Sequence, residues 1–437
     1  MFKSFQVKYL LLGLIYLLVL AMPFGIRFLP YLLSTTFLVW FIVVITGKFY
    51  ALKDFRNTTL YLLPVLAIIS LVSLLYTSNV SNGLKMLERL ISFVLLPFVF
   101  LIAKKELKIN IHVVFTLLGI SLLVAIAHLF ISVYEKVGIE KFREFSSFHD
   151  IIEYFRYYSI IKGFTIHPSY LSYILLIYLL YFFFQSKTKK ALYVLHVPIA
   201  ISALLTLATL QSRAAILCLL FLILYGTLVQ VYKKRWLSLS LLLLILVSSS
   251  YGIYKYSRLG ETLKETAVLN EETKKIDPRL VIWKNSIETI KNAPLMGYGI
   301  GDALDELIKE HEKTEFKAGV FYSFDAHNHF LETWLQSGIF GLISLLLVFA
   351  IPLYQSIKKK QELLFLFLMI SFIQLQFESM FVRLAGVVYF AFFYCYFYYV
   401  YYAEGGEWER TRQKTNSGYD TKLNAADNNP ETISQKP

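Results

Sequence analysis

Cysteine is almost missing from this sequence. The two present, Cys218 and Cys395, each lie inside an apolar stretch where a free thiol behaves as a small hydrophobe. That excludes a disulfide framework and a cysteine-based zinc site. Charge is also scarce: 17% of the 437 residues are charged against 57% hydrophobic, too little polar surface to wet the exterior of a soluble fold. Lipid must therefore be the solvent for much of the chain. No HExxH, CxxC or Asp-x-Asp pattern occurs, so a metal-free chemistry is expected. No internal repeat is evident, which counts against the inverted-repeat layout of many secondary transporters.

What is present is a series of apolar runs near the length at which a helix crosses a bilayer, about twenty residues. They fall at 9–25, 28–47, 59–77, 90–103, 111–133, 168–185, 191–210, 214–231, 236–254, 329–354, 361–381 and 384–402. The expectation is an all-α membrane protein with about 12 transmembrane helices over residues 1–402. The first run continues through Met22-Pro23-Phe24 without a small-residue cleavage pattern, so it reads as an uncleaved helix.

An even number of spans puts both termini on one side. With that side cytoplasmic, the inner connections hold Lys48/Lys53/Arg56, Lys104/Lys105/Lys108, Lys187/Lys189/Lys190, Lys233/Lys234/Arg235 and Lys358/Lys359/Lys360, while the short outer ones hold Arg27, Lys85 with Arg89, Arg213 and Arg383. This is the bias of the positive-inside rule. The net charge of +13 then lies largely along the inner leaflet and suits its anionic lipids, so nucleic acid is not an expected partner.

Two outer segments are long, 134–167 and 255–326, and the second has room for several helices before the tenth span. In the first, Phe142, Phe145, Phe148, Ile151, Ile152, Phe155 and Tyr158 recur every three or four residues, as on an amphipathic helix at the outer interface. Residues 403–437 are polar and read as a disordered cytoplasmic tail.

Candidate chemistry gathers on the outer side. Gln211-Ser-Arg213-Ala-Ala-Ile-Leu217 opens the eighth span; the large loop carries Asp277-Pro-Arg279 and Asn292-Ala-Pro-Leu-Met-Gly-Tyr-Gly-Ile-Gly301; the tenth span opens on Ala326-His-Asn-His and runs through Gly338 and Gly341. Together these resemble the O-antigen ligase and polymerase superfamily of bacterial envelope glycosyltransferases. The ligases' paired signatures are an Arg with Leu four residues on, here Arg213 and Leu217, and a His-Asn followed by Gly-x-x-Gly, here His327-Asn328 with Gly338 and Gly341. The resemblance implies about twelve spans and one large outer loop in the bacterial inner membrane. It also implies transfer of a glycan from undecaprenyl diphosphate onto an acceptor hydroxyl, such as a lipid A-core sugar, on the periplasmic face.

The residues themselves suit that chemistry. A diphosphate needs rigid cations, and the Arg fork binds two phosphate oxygens while keeping its proton, which nominates Arg213 and Arg279. Their competing readings are a helix-end anchor and a solvated surface charge. An attacking hydroxyl needs a base, and His327 is the nominee, with His329 as its rival and helix capping as the structural alternative. Asn328 and Glu332 sit one turn apart and are candidates to orient an acceptor. Glu378 and Arg383, charges at membrane depth, either complete the site or pair with each other, and His167 stands at its edge. Gly338 and Gly341 are expected to offer a smooth face to a neighbouring helix. Asp302, Asp305 and Glu306 read as the solvated side of a loop helix, and His112, His128 and His196 as packing or hydrogen-bonding residues.

The expectation is a metal-independent, inverting glycan ligase that uses no cofactor. An O-antigen polymerase and a protein O-oligosaccharyltransferase are close alternatives. A glycan or lipid transporter is a different class, and it would need polar residues aligned through several spans, of which few are visible.

Overall fold

The computed structural model describes residues 2–24, 29–46, 59–137, 167–184, 190–210, 212–232 and 277–403. The expected span 236–254, the aromatic stretch 142–158, Arg27, the basic clusters at 48–56 and 233–235 and the polar tail beyond 403 lie outside the described residues.

Within the described residues the chain is helical and contains no strand. Lipid offers no partners for backbone amides, so each segment must satisfy its own, and the helix does this. The elements are α1 (Phe2–Ala21), α2 (Leu29–Thr46), α3 (Leu62–Ser73), α4 (Val80–Leu90), α5 (Ser92–Glu106), α6 (Ile111–Val137), α7 (Pro168–Phe184), α8 (Lys190–Leu210) and α9 (Arg213–Tyr232). After the undescribed segment come α10 (Pro278–Asn292), α11 (Ala303–Lys313), α12 (Lys317–Phe321), α13 (His329–Lys358), α14 (Glu362–Phe377) and α15 (Leu384–Ala403). Five helical stretches are long and apolar enough to cross a membrane: Thr59–Tyr76, Ile111–Glu135, Arg213–Tyr232, His329–Lys358 and Leu384–Tyr401. Shorter apolar helices stand beside them.

At the centre lies α15, whose rings at Tyr389, Phe390, Phe392, Phe393, Tyr394, Tyr396 and Phe397 are buried. They pack against neighbouring helices, Phe392 edge-on to Phe100 of α5 at 5.4 Å and Phe397 tilted against Phe367 of α14 at 5.3 Å. Edge-to-face pairs suit the ring quadrupole. A buried phenol still needs a partner, and these find backbone carbonyls where helical elements begin or end: Tyr394 donates to Thr59 O at 3.2 Å and Tyr399 to Leu107 O at 2.6 Å. The histidines read as structural do bond to neighbours, His196 to the Tyr178 hydroxyl at 2.6 Å and His112 to the Tyr181 hydroxyl at 2.8 Å.

Two expectations change. The short outer connection before the fourth span is a helix, α4, capped by Asn79, whose side chain accepts from Asn82 N at 3.2 Å. Gly83, Met86 and Leu90 are buried at helical spacing while Lys85 and Glu88 face outward, and this amphipathic pattern was hidden by its polar composition. Second, α13 is not one continuous helix, because Gly338 breaks it at φ 64° and ψ −160°.

Candidate active site

The site forms where the starts of α7, α9, α10 and α13 meet the end of α14, and it is built around one strained turn. His327 lies just before α13 in left-handed backbone at φ 44°, a conformation unfavourable for a residue with a Cβ. Three side chains hold this turn by occupying its amides. Ala326 N donates to Glu332 Oε2 at 3.1 Å and His327 N to Asp325 Oδ1 at 2.9 Å. Asn328 is the N-cap, its Oδ1 accepting from Phe330 N at 3.0 Å and Leu331 N at 3.3 Å. A helix start leaves just such amides without partners, and Asn is among the best residues to take them.

Asn328 and Glu332, expected to face an acceptor, are thus turned into the fold. Both are buried, and the second Glu332 oxygen accepts from Gln336 Nε2 at 2.7 Å. The helix-capping alternative for His327 falls to Asn328 as well. His329, the rival base, is fully enclosed with its ring 4.4 Å from that of Phe381, whereas the His327 side chain keeps 28% of its surface accessible.

His327 Nδ1 lies 3.4 Å from Asp325 Oδ1 and 3.9 Å from Glu378 Oε1. Glu378 ends α14 in extended backbone, and its other oxygen accepts from the Ser169 hydroxyl at 2.9 Å. Two carboxylates facing Nδ1 favour the tautomer with the proton there, which leaves Nε2 with its lone pair. Glu378 therefore does not pair with Arg383: among the described residues no ion pair joins them, and Arg383 is exposed beyond a short helical turn that separates it from Glu378.

Arg213 begins α9 and makes an ion pair with Asp277. Asp277 also caps α10, its other oxygen accepting from Arg279 N at 3.0 Å, so one carboxylate ties the starts of two helices and both arginines together. Burial alone would raise the Asp277 carboxyl, yet the Arg279 amide and the Arg213 guanidinium outweigh it and hold the group below its ordinary value. The Arg279 guanidinium lies over the Phe377 ring at 6.0 Å. Burial lowers its pKa, opposed by Glu378 and assisted by Arg213, and the group stays cationic.

His167 precedes α7, with its Nδ1 accepting from Ser169 N at 3.3 Å. Desolvation lowers its pKa; Glu378 opposes this, while His327, Arg383 and Arg279 add to it. Glu378, His327, Arg383 and Arg279 therefore lie within electrostatic reach of His167, and Arg213 within reach of Arg279. Asp325 and Ser169 were missed. The signal for Asp325 was its place two residues before His327, the spacing at which an Asp side chain takes a following amide.

The turn after Pro294 supports this constellation from behind. Where α13 breaks, the carbonyls of Leu335 and Gln336 accept from Tyr298 N at 2.8 Å and Gly299 N at 3.0 Å, and Ile339 N donates to Pro294 O at 3.1 Å. Gly297 and Gly299 have φ of 70° and 89°. A Cβ on Gly338 would stand 2.0 Å from Leu295 O. Gly338 therefore serves a docked loop, and the expected smooth face for a neighbouring helix is not its role. Asp302, expected to be solvated, accepts from Ser78 N at 2.6 Å and Asn79 N at 2.7 Å, fastening the loop to the start of α4.

Comparison with known proteins agrees with the motifs. Over 116 residues the chain is 29% identical to an uncharacterized protein of Haemophilus influenzae, a match covering 26% of this chain and 29% of that protein. Over 97 residues it is 35% identical to the ComP-specific O-oligosaccharyltransferase of Acinetobacter baylyi, covering 22% of this chain and 17% of the relative. The chain thus spans less than a third of the length of these curated relatives. Residues 198–346, about a third of the sequence, match the family described as O-antigen ligase. The stretch that carries Arg213, Arg279, His327 and the Gly338 break therefore matches the O-antigen ligase family, the family that the paired motifs resemble.

Proposed function

We propose that this protein transfers a glycan from undecaprenyl diphosphate to an acceptor hydroxyl, with a lipid A-core sugar as the acceptor, at the periplasmic face of a bacterial inner membrane. The observation that carries the reading is the His327 turn, which aims Nδ1 at the carboxylates of Asp325 and Glu378 and leaves Nε2 for the acceptor. Arg213 and Arg279 hold the donor's diphosphate. The acceptor hydroxyl gives its proton to Nε2, its oxygen bonds to the anomeric carbon, and the bond from that carbon to the phosphate oxygen breaks with its electron pair going to the diphosphate. Displacement from the opposite face inverts the configuration. Asn328 and Glu332 act as positioning residues by holding the turn, and Glu378 orients the imidazole. The positive-inside bias supports cytoplasmic termini and an outward-facing site.

The test uses purified full-length protein in vesicles, supplied with undecaprenyl-diphosphate-linked glycan and lipid A-core, with no ion gradient. His327→Ala should lower transfer by roughly 10²–10⁴-fold, the worth of a positioned base, while insertion is unchanged. Full activity in that variant would remove His327 from the role. The Acinetobacter relative supports a second reading in which the acceptor is a protein hydroxyl, and supplying ComP as the acceptor in place of lipid A-core separates the two. A polymerase would instead extend one lipid-linked repeat with another. Gradient-dependent movement of glycan without a new glycosidic bond would favour a transporter.

A further inference from the structure

The outer segment carries a feature that neither the base nor the cations use. Running outward from His327 is a series of aromatic rings: Phe324 at 5.4 Å from the imidazole, Tyr322 stacked on Phe324 at 5.5 Å, and Phe321 edge-on to Tyr322 at 4.8 Å. Phe321 and Tyr322 are 80% and 65% exposed. The turn that presents them is tightly bonded, with Tyr322 N donating to Ala318 O and Phe324 N to Gly319 O, each at 3.0 Å. Glu315 and Ser323 on either side of α12 adopt positive φ, 54° and 49°, as does His327. Exposed rings held on a strained, well-bonded turn beside a site are a feature to be explained, since fewer apolar groups would cost less.

We propose that Phe321 and Tyr322, continued by Phe324, form a stacking subsite for the sugar rings of the acceptor glycan. The sugar that bears the attacking hydroxyl must touch His327, so the next sugars of the acceptor follow the rings leading away from it. The donor's diphosphate belongs to Arg213 and Arg279, across the Glu378 carboxylate. Pyranose rings present C–H faces to aromatic rings and hydroxyls to carboxylates, and the partly exposed Asp325 supplies an acceptor at the inner end. Burial of the rings in lipid is disfavoured by their neighbours, because Glu312, Lys313, Glu315 and Lys317 are all exposed on the same module.

This inference rests on the glycan-transfer reading, so two measurements are needed. In the vesicle assay, a Phe321→Ala/Tyr322→Ala double variant should raise KM for lipid A-core about tenfold or more, a larger change than in kcat, and leave donor KM within twofold. Tyr322→Phe should restore most of the loss. Separately, saturation-transfer NMR with delipidated core oligosaccharide should show binding to the wild-type protein and its loss in the double variant. Binding lost without any wild-type transfer would keep the subsite and overturn the transferase. Transfer with unchanged acceptor KM would overturn the subsite alone. Quenching of a Phe321→Trp variant by brominated lipid would place the rings in the membrane and also overturn it.

Discussion

Replacing Gly338 with alanine tests the link between the helix break and the loop that follows Pro294. At φ 64° and ψ −160° the residue sits in a region essentially reserved for glycine, and a Cβ would meet Leu295 O at 2.0 Å. Backbone strain of this kind costs roughly 1–3 kcal/mol. Alanine also favours a straight helix, in which Leu335 O and Gln336 O would bond within α13 and release Tyr298 N and Gly299 N. Each amide bond lost from the docked turn is worth about 1 kcal/mol net. The docked turn should therefore lose on the order of 3–5 kcal/mol. Since 1.4 kcal/mol is tenfold, amide hydrogen exchange at Tyr298 and Gly299 should speed up by at least about 100-fold in Gly338→Ala, measured by mass spectrometry on the full chain. Wild-type protection at both amides would refute the claim that the break exists to receive the turn.

Asp277 unites a helix cap and an ion pair, so its variants separate the two. Asp277→Asn keeps a capping oxygen and should cost about 1 kcal/mol less stability than Asp277→Ala in denaturant titration; equal losses would deny the cap. His311, in α11, accepts from Asn285 Nδ2 at 2.9 Å and is held below its ordinary pKa by burial, against the opposing Phe324 carbonyl and Glu310. The unfolded chain takes up this proton as pH falls through about 6.5 while the folded one resists, so the segment 277–326 should lose stability progressively below that pH. Proteolysis of residues 277–326 at pH 7.5 and 5.5 checks this, and His311→Gln should flatten the difference. Glu378→Gln removes one carboxylate facing His327 and should lower kcat about tenfold or more with partial recovery in Glu378→Asp, whereas unchanged kcat would leave Asp325 as the imidazole's orienting group.

The sequence disclosed the groups whose chemistry is rare in its setting. Arg213, Arg279, His327 and Glu378 stood out because charge beside an apolar run is costly, and the fold brings them together. Five of the expected spans, those near 59–77, 111–133, 214–231, 329–354 and 384–402, are helices long and apolar enough to cross a membrane, because length and hydropathy alone decide that property. What stayed hidden depends on pairing across the chain. Asn328 and Glu332 have the same composition whether they face a sugar or a backbone amide, and only the left-handed turn at His327 decides between them. Gly338 reads as a packing glycine until the Pro294 turn is seated against it, more than forty positions earlier in the sequence. The α4 helix was hidden because its polar face diluted the apolar one.

The arrangement also explains why the catalytic nominee sits in strained backbone. A regular helix start would leave the His327 amide unbonded, whereas the left-handed turn brings Nδ1 to 3.9 Å from Glu378 Oε1 at the end of α14. That geometry holds because Asp325, Glu332 and Asn328 bind the amides the turn exposes. Asp325 does this with the same oxygen that lies nearest Nδ1, so the contact that steadies the backbone also orients the ring. A substitution at Asp325 would therefore loosen backbone and base together, while one at Glu378 would affect the imidazole and leave the turn in place.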